Sequence, residues 1–439
     1  MKGLYERLTP PQVLLAVFIV TTLLGTILLK LPVAVTEEIS WLDALFTTVS
    51  AMTVTGLVVV DTGTVYTVFG QTVIMVLIQV GGLGIMTFAV LVFLLLGRKV
   101  RFRQRLWVQQ ALNQSTQGGV IKLVKRILFY SFLIEAVAFI CLSGRWVPEL
   151  GWSHGLYASL FHTVSAFNNA GFSIWSDSLM QYAGDPTVNI VITFLFIVGG
   201  LGFTVIADLW ETKTFRGLTL HTKIMLVGTV SVNIIAFLVV FFVEYANPNT
   251  MGSMSFFEKI FASYFQAVTT RTAGFNTVDI GALDEATLSF FLLLMFIGAG
   301  STSTGGGIKL TTFLAIASTV VMFVRSRGEV VIFRRTLASA VIIRSVAITM
   351  IAGLLIVVAV FILEVTEEAS FLMVLFEVVS AFGTVGLSMG LTPELSGIGK
   401  IVIILIMFVG KVGPLTLAFS IAKQEVANIR YPSEEILTG

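Results

Sequence analysis

Apolar and polar positions alternate along this chain in long blocks. Apolar runs cover roughly residues 11–31, 67–96, 124–146, 186–208, 220–243, 286–324, 340–364 and 398–422. Each reaches the ~20 residues that a helix needs to cross a hydrocarbon core. Eight spans are therefore predicted, and an even number puts both termini on one side. Between the two members of each successive pair of runs lies a shorter apolar piece of about a dozen residues, followed by an irregular stretch containing glycine. A piece that short cannot cross a bilayer, so it is predicted to dip in as a half-helix and return through the loop behind it. Non-helical backbone at membrane depth is tolerated only where it is buried in protein or faces a wet cavity.

The four short pieces rhyme. They run Leu45–Leu57, Leu160–Phe172, Tyr264–Phe275 and Leu375–Leu387, each with an early phenylalanine (Phe46, Phe161, Phe265, Phe376) and a late glycine (Gly56, Gly171, Gly274, Gly386). An internal period of this kind points to stacked or ring-like repeats of one unit. Four re-entrant loops meeting on one axis would satisfy the buried-backbone rule together. The predicted fold class is an all-α membrane protein: four pseudo-symmetric repeats of span, re-entrant pore helix and span around one central ion pore. The expected units are 1–96, 97–208 (with a basic cytoplasmic loop at 97–126), 209–324, and 325–439 including the C-terminal tail.

Composition agrees with this pattern. Of 439 residues, 56% are hydrophobic and 12% charged, and mean hydropathy is +0.96. Only a bilayer hides that much apolar surface. The net charge of +2 says little, but its placement says more. The stretch 97–126 carries Arg98, Lys99, Arg101, Arg103, Arg105, Lys122, Lys125 and Arg126 with no carboxylate. Positive loops stay in the cytoplasm, so this stretch, Arg325–Arg335 and both termini are assigned there, in the cell membrane as a multi-pass protein. The first apolar run is of full span length and no cleavage site follows it, so no removable leader is expected. Cys141 stands alone and cannot form an internal disulfide. His154, His162 and His221 are scattered and read as structural, as does Glu135, although a carboxylate in a span needs a partner. No Ser/His or paired-Asp arrangement occurs in the spans, so no catalytic residues are assigned and an enzyme is not expected. No nucleic-acid partner is expected either. Membrane lipids are.

The chemistry then follows from backbone. A pore that strips water from a large cation replaces it with rings of carbonyl oxygens, and aiming them inward needs conformations that glycine adopts cheaply. The candidate filter residues are Val54, Thr55 and Gly56; Asn169, Ala170 and Gly171; Thr272, Ala273 and Gly274; and Thr384, Val385 and Gly386. They carry no ring of carboxylates, which argues against a divalent-cation channel. Gly81, Gly82 and Gly84, with Gly199, Gly200 and Gly202, read as packing or kinking positions. Arg271 and Glu377 read as braces of the pore helices. Within the sixth run, Gly298 to Gly307 holds five glycines and four hydroxyl residues. Glycine costs ~1 kcal/mol in a helix interior, so this run should break. Lys411, read as lying far from either surface in the last inner span, is expected to face the cavity or that loop. Lys309 is read as snorkelling to the cytoplasmic surface. A secondary transporter with a midplane site, such as an amino-acid symporter, is the rival; it would be built on inverted halves, whereas all four units here start on one side.

These phrases, above all Ala166–Phe172 and Gly298–Gly306 and on to Asn428–Pro432, resemble the Trk/Ktr/HKT superfamily of potassium transporters. Within it they are similar to the membrane subunit of bacterial Ktr systems, the KtrB/KtrD type. The resemblance implies K+ as the ion, because serine in place of the first-repeat glycine goes with sodium preference and this chain has Gly56. It leaves ammonium open and extends to Na+ dependence of uptake. It implies a gating loop formed by Gly298, Gly300, Ser301, Thr302, Ser303, Thr304, Gly305, Gly306 and Gly307, with Lys411 where relatives often have arginine. It further implies a homodimer on a cytoplasmic ring of regulatory subunits of KtrA/KtrC type, with the nucleotide on that partner and no covalent cofactor here.

Overall fold

A computed structural model describes residues 10–84, 120–326 and 328–413. Helices dominate, in a recurring order of long, short and medium. The first triplet is α1 (Pro10–Lys30), α2 (Trp41–Thr53) and α3 (Val68–Leu83). The second is α4 (Val120–Leu150), α5 (Trp152–Phe167) and α6 (Pro186–Leu201), continued by α7 (Phe203–Glu211). The third is α8 (Leu220–Glu244), α9 (Phe256–Thr269) and α10 (Glu285–Phe296), continued by α11 (Leu310–Val324). A two-residue hairpin, β1 (Val331–Ile332) with β2 (Arg335–Thr336), precedes the fourth: α12 (Ser339–Thr366), α13 (Phe371–Gly383) and α14 (Gly397–Val412).

Local sequence explains where most of these helices start. Ser40, Ser255 and Ser370 accept the amide three residues on at the heads of α2, α9 and α13, and Glu258 completes a capping box at the second of them. Thr67, Asp185, Asp284 and Ser396 cap the medium helices in the same way.

Each short helix packs against the two flanking helices of its own triplet, except that α9 is held chiefly by α8. Each also meets the medium helix of the preceding triplet: α3 touches α5, α6 touches α9, α10 touches α13, and α14 returns to α2. The circuit closes. Phe46, Phe161, Phe265 and Phe376 are wholly buried at matched places in it. Inside a bilayer such burial gains packing rather than expulsion of water, because lipid tails are as apolar as the core.

Eight spans are expected, and among the described residues the second and third inner ones are not single unbroken helices. Among the described residues three helices are long and apolar enough to cross, within α4, α8 and α12, and a fourth if α6 and α7 count as one bent span. The medium helices stop after 16, 16, 12 and 16 residues, at most ~24 Å of rise. Gly84, Gly202 and Gly413 end three of them at φ of 83°, 101° and 89°, a backbone region open to glycine and costly to other residues. At Gly202 the chain turns by 94° from α6 into α7. The third medium helix ends at Phe296 and resumes as α11 after a non-helical stretch. The glycines ahead of these breaks also allow close approach: a Cβ at Gly81, Gly199 or Gly410 would lie 2.0 Å from the carbonyl oxygen of Met52, Phe167 or Phe382. Packing and kinking are thus both served. Arg98 to Arg105, Arg327 and the tail from Lys423 to Arg430 lie outside the described residues.

Candidate functional site

The four short helices end at the candidate segments, where backbone handedness alternates. Val54, Asn169, Thr272 and Thr384 have φ of 52°, 57°, 69° and 50°, and the glycines two residues later have 91°, 67°, 79° and 92°. Thr55, Ala170, Ala273 and Val385, between them, are not left-handed. Left-handed backbone costs a non-glycine residue roughly 1–2 kcal/mol, so four such residues persist only because their surroundings impose the conformation. All twelve candidate residues lie in these segments, and the eight that are not glycine are essentially inaccessible to solvent.

The segments are brought together edge to edge. A Cβ built at Gly56 would sit 2.4 Å from Ala170 O; at Gly171, 2.9 Å from Ala273 O; at Gly274, 2.4 Å from Val385 O; at Gly386, 2.2 Å from Thr55 O. The order runs first, second, third, fourth and back to first. No side chain fits at any of the four.

Hydroxyl groups that the sequence reading passed over lock the segments. Ser50 Oγ accepts Gly56 N and Ser380 Oγ accepts Gly386 N, each at 3.1 Å. In the other two, Ser165 Oγ donates to Phe172 O at 2.7 Å and Thr269 Oγ1 to Phe275 O at 2.6 Å. Their signal was available: a serine or threonine stands five or six residues before each glycine.

On one side of the ring all four glycines line an open cavity that also presents Asp61 and Asp279. On the other lies the stretch from Gly298 to Gly307. Gly306 N donates to Thr384 Oγ1 at 2.8 Å, Thr304 Oγ1 donates to Asn169 Oδ1 at 2.8 Å, and Asn169 Nδ2 donates to Thr272 Oγ1 at 3.2 Å. Thr304 to Gly307 are therefore buried against three of the four segments. Gly300 and Thr302 instead join the α6–α7 break: Gly300 N donates to Gly200 O at 2.8 Å and Phe203 N to Thr302 O at 3.0 Å. Gly298 N bonds Ile308 O at 2.8 Å, closing the loop at its neck. Ser301 and Ser303 are half-buried and touch none of the four segments through side-chain hydrogen bonds.

Two lysines hold the loop. Lys411 Nζ donates to Thr304 O. Because α14 stops at Val412, Lys411 stands in the last helical turn and not in the interior of a longer helical span, as had been expected. Lys309 was expected to snorkel, yet its ammonium bonds Gly305 O at 2.7 Å; its Cα precedes α11 immediately, so the side chain reaches back over the loop. Loop carbonyls, the acceptors that helix formation would have consumed, take both cations.

Glu377 braces as expected, accepting from Ser388 Oγ at 2.7 Å and from Thr392 Oγ1. Glu135 accepts from Gln79 Nε2 at 3.0 Å, and Gln79 Oε1 accepts from Asn168 Nδ2 at 2.7 Å. His162 is fixed by Ala158 O and Ser173 Oγ within the core. Among the described residues no cluster of His, Cys, Asp or Glu could hold a metal ion. The site is built from backbone, hydroxyls and two tethering lysines.

A family profile described as a cation transport protein, TrkH, matches residues 9–430. The chain is 58% identical to the Ktr system potassium uptake protein B of Bacillus subtilis (strain 168), over 99% of this chain and 98% of that one. It is 45% identical to the protein of the same name from Vibrio alginolyticus, over 98% and 95%. It is 38% identical to the potassium/sodium uptake protein NtpJ of Enterococcus hirae, over 100% and 99%. Among solved structures, the potassium transporter TrkH from Vibrio parahaemolyticus matches with a TM-score of 0.74 at 19% identity, covering 95% of this chain and 86% of that one. At that identity the likeness is one of fold.

Proposed function

Since the chain belongs to the TrkH family of cation transport proteins, we propose that it takes up potassium across the cell membrane through a pore formed by its four triplets, units 1–96, 97–208, 209–324 and 325–439. The observation that carries this reading is the closed ring of four glycines, each preceded two residues earlier by a left-handed residue. Alternating handedness turns successive carbonyls the same way, which lets them replace the water around a large monovalent cation. The residues Val54–Gly56, Asn169–Gly171, Thr272–Gly274 and Thr384–Gly386 are the filter. The short helices point their C-terminal, negative ends at it, which favours a cation there. The cavity with Asp61 and Asp279 is its outer mouth.

Gly298–Gly307 is the gate, closed here by its bonds to Thr384 and Asn169 and by Lys411. Both termini are cytoplasmic, and the chain works as a homodimer with a separate nucleotide-binding regulator. Two relatives are named as parts of a Ktr system, which supports a second component. Arg325, Arg334 and Arg335 are exposed near the hairpin and offer that partner a basic surface. The name of the Enterococcus relative includes sodium, so sodium stimulation of uptake belongs to the same reading.

The test is growth of a potassium-transport-deficient bacterium at low potassium, with this gene alone and with candidate cytoplasmic partners. Rescue lost on Gly56→Ser, with the protein still in the membrane, supports the filter. No rescue under any pairing, or rescue with unchanged ion preference in that variant, overturns it. Charge reversal at Arg325, Arg334 and Arg335 should break co-purification with the regulator.

A further inference from the structure

Arg271, one residue before Thr272, has no comparable support. Its residue is 8% exposed, Nε has no partner, and the one hydrogen bond is a long contact from Nη1 to Asn233 Oδ1 at 3.4 Å. Among the described residues it makes no ion pair. It lines a small cavity between α6, α8 and the end of α9, and so does Thr229, whose buried hydroxyl is also without a partner. Two orphaned polar groups, one on α8 and one just beyond the end of α9, thus face one space. A buried charge without a counter-charge is among the costliest arrangements in a membrane protein. Water filling the space would hydrate the guanidinium but leave its charge uncompensated.

We propose that this cavity binds a small monovalent anion of the halide class, held by the Arg271 guanidinium and the Thr229 hydroxyl, with the Asn233 amide beside it. Phe196, Ile197 and Val268, with Gly200 and Ala299, form the rest of the wall. Apolar walls suit a weakly hydrated anion such as chloride or bromide and disfavour strongly hydrated phosphate or sulfate. The anion offsets a positive charge attached one residue from the proposed filter, where it would otherwise repel the passing cation. The site is separate from the filter, and its existence does not depend on which cation crosses.

The purified full-length protein, exchanged from gluconate into bromide at constant ionic strength, tests this. Anomalous diffraction should show bromide against Arg271, and Tm should rise saturably with bromide. Thr229→Val, nearly isosteric, should weaken the apparent bromide Kd by roughly tenfold, the scale of one hydrogen bond to a charged group. Arg271→Gln should abolish the effect. Where Arg271→Gln fails to fold, Thr229→Val and the wild-type diffraction decide alone. No bromide peak beside Arg271, or a bromide-dependent Tm that is identical in Thr229→Val, overturns the proposal and leaves a water-filled cavity.

Discussion

The third triplet and the other three end their medium helices differently. In the first, second and fourth, 16 residues of helix run to one left-handed glycine. In the third, helix stops after 12 residues, and the backbone wanders through Gly298–Gly307 beneath the ring before α11 resumes. The same architectural unit thus occurs three times in one form and once, in the third triplet, in an altered form. Symmetry is kept where four backbones must meet, as at the ring. If Gly298–Gly307 is the proposed gate, symmetry is broken there because only one occluding element fits on the axis.

The largest effect should come from breaking the symmetric part. Gly274→Val places a branched side chain at φ 79° with its Cβ 2.4 Å from Val385 O. Uptake should fall at least about a hundredfold, since left-handed strain and a backbone clash add. Radiotracer rubidium flux into vesicles checks it. Next comes the asymmetric part: deleting several residues between Gly300 and Gly306 should raise flux and blunt the response to the proposed regulator. Lys411→Ala should act in the same direction more weakly, because it removes the tether on Thr304 and a cation from the path. Two unit charges 4 Å apart repel by about 4 kcal/mol at an effective dielectric of 20. Lower flux in a well-assembled deletion variant would make the loop a structural strut.

Much of this arrangement was legible in sequence, for a physical reason. A glycine forced by backbone geometry cannot drift, so Gly56, Gly171, Gly274 and Gly386 kept their offsets from Phe46, Phe161, Phe265 and Phe376. The glycine-rich run at 298–307 announced its break because helix propensity there is so low. Hydropathy misled where it counted length alone. Residues 186–211 are as apolar as a spanning helix, and apolarity does not register the glycine that turns the chain by 94° at Gly202. Lys411 was misplaced by the same error, since its depth was inferred from a span assumed to continue. The ring-locking hydroxyls escaped notice because single serines in apolar helices usually bond their own backbone, as Ser159 does to Gly155 O.

Those hydroxyls sharpen the comparison at a smaller scale. Ser50→Ala and Ser380→Ala each strand an amide of the ring, buried at Gly56 and half-buried at Gly386, whereas Ser165→Ala and Thr269→Val free a carbonyl. An unsatisfied buried donor costs about 1–3 kcal/mol, while a carbonyl's second lone pair is more forgiving. The first pair should therefore lower potassium-over-sodium selectivity and Tm more than the second. Equal losses in all four would mean that the locks act only as packing.

The smallest effect lies at the outer ends, where the third and fourth triplets share a device. Glu244, closing α8, accepts Asp284 N at 2.9 Å; Glu367, just beyond α12, accepts Ser396 N at 2.8 Å and Ser396 Oγ at 2.6 Å. Each carboxylate pins the end of a long helix to the head of its medium partner. Partial burial pushes the Glu367 pKa up, but the Ser396 amide and hydroxyl, with Thr366 and Gly399, prevail and hold it below the ordinary carboxylate value. A carboxyl depressed in the folded state contributes stability that is present above the unfolded pKa of roughly 4.3 and is lost as pH falls through the folded pKa. Wild-type Tm should therefore drop as pH is lowered below about 4. Glu367→Gln should be slightly less stable at neutral pH and show a shallower acid limb, the two curves converging once Glu367 is protonated. The contact is partly exposed, so the shift should be the smallest of the series. An acid limb of unchanged steepness in Glu367→Gln would assign acid sensitivity to other carboxylates and leave Glu367 as a neutral hydrogen-bonding cap.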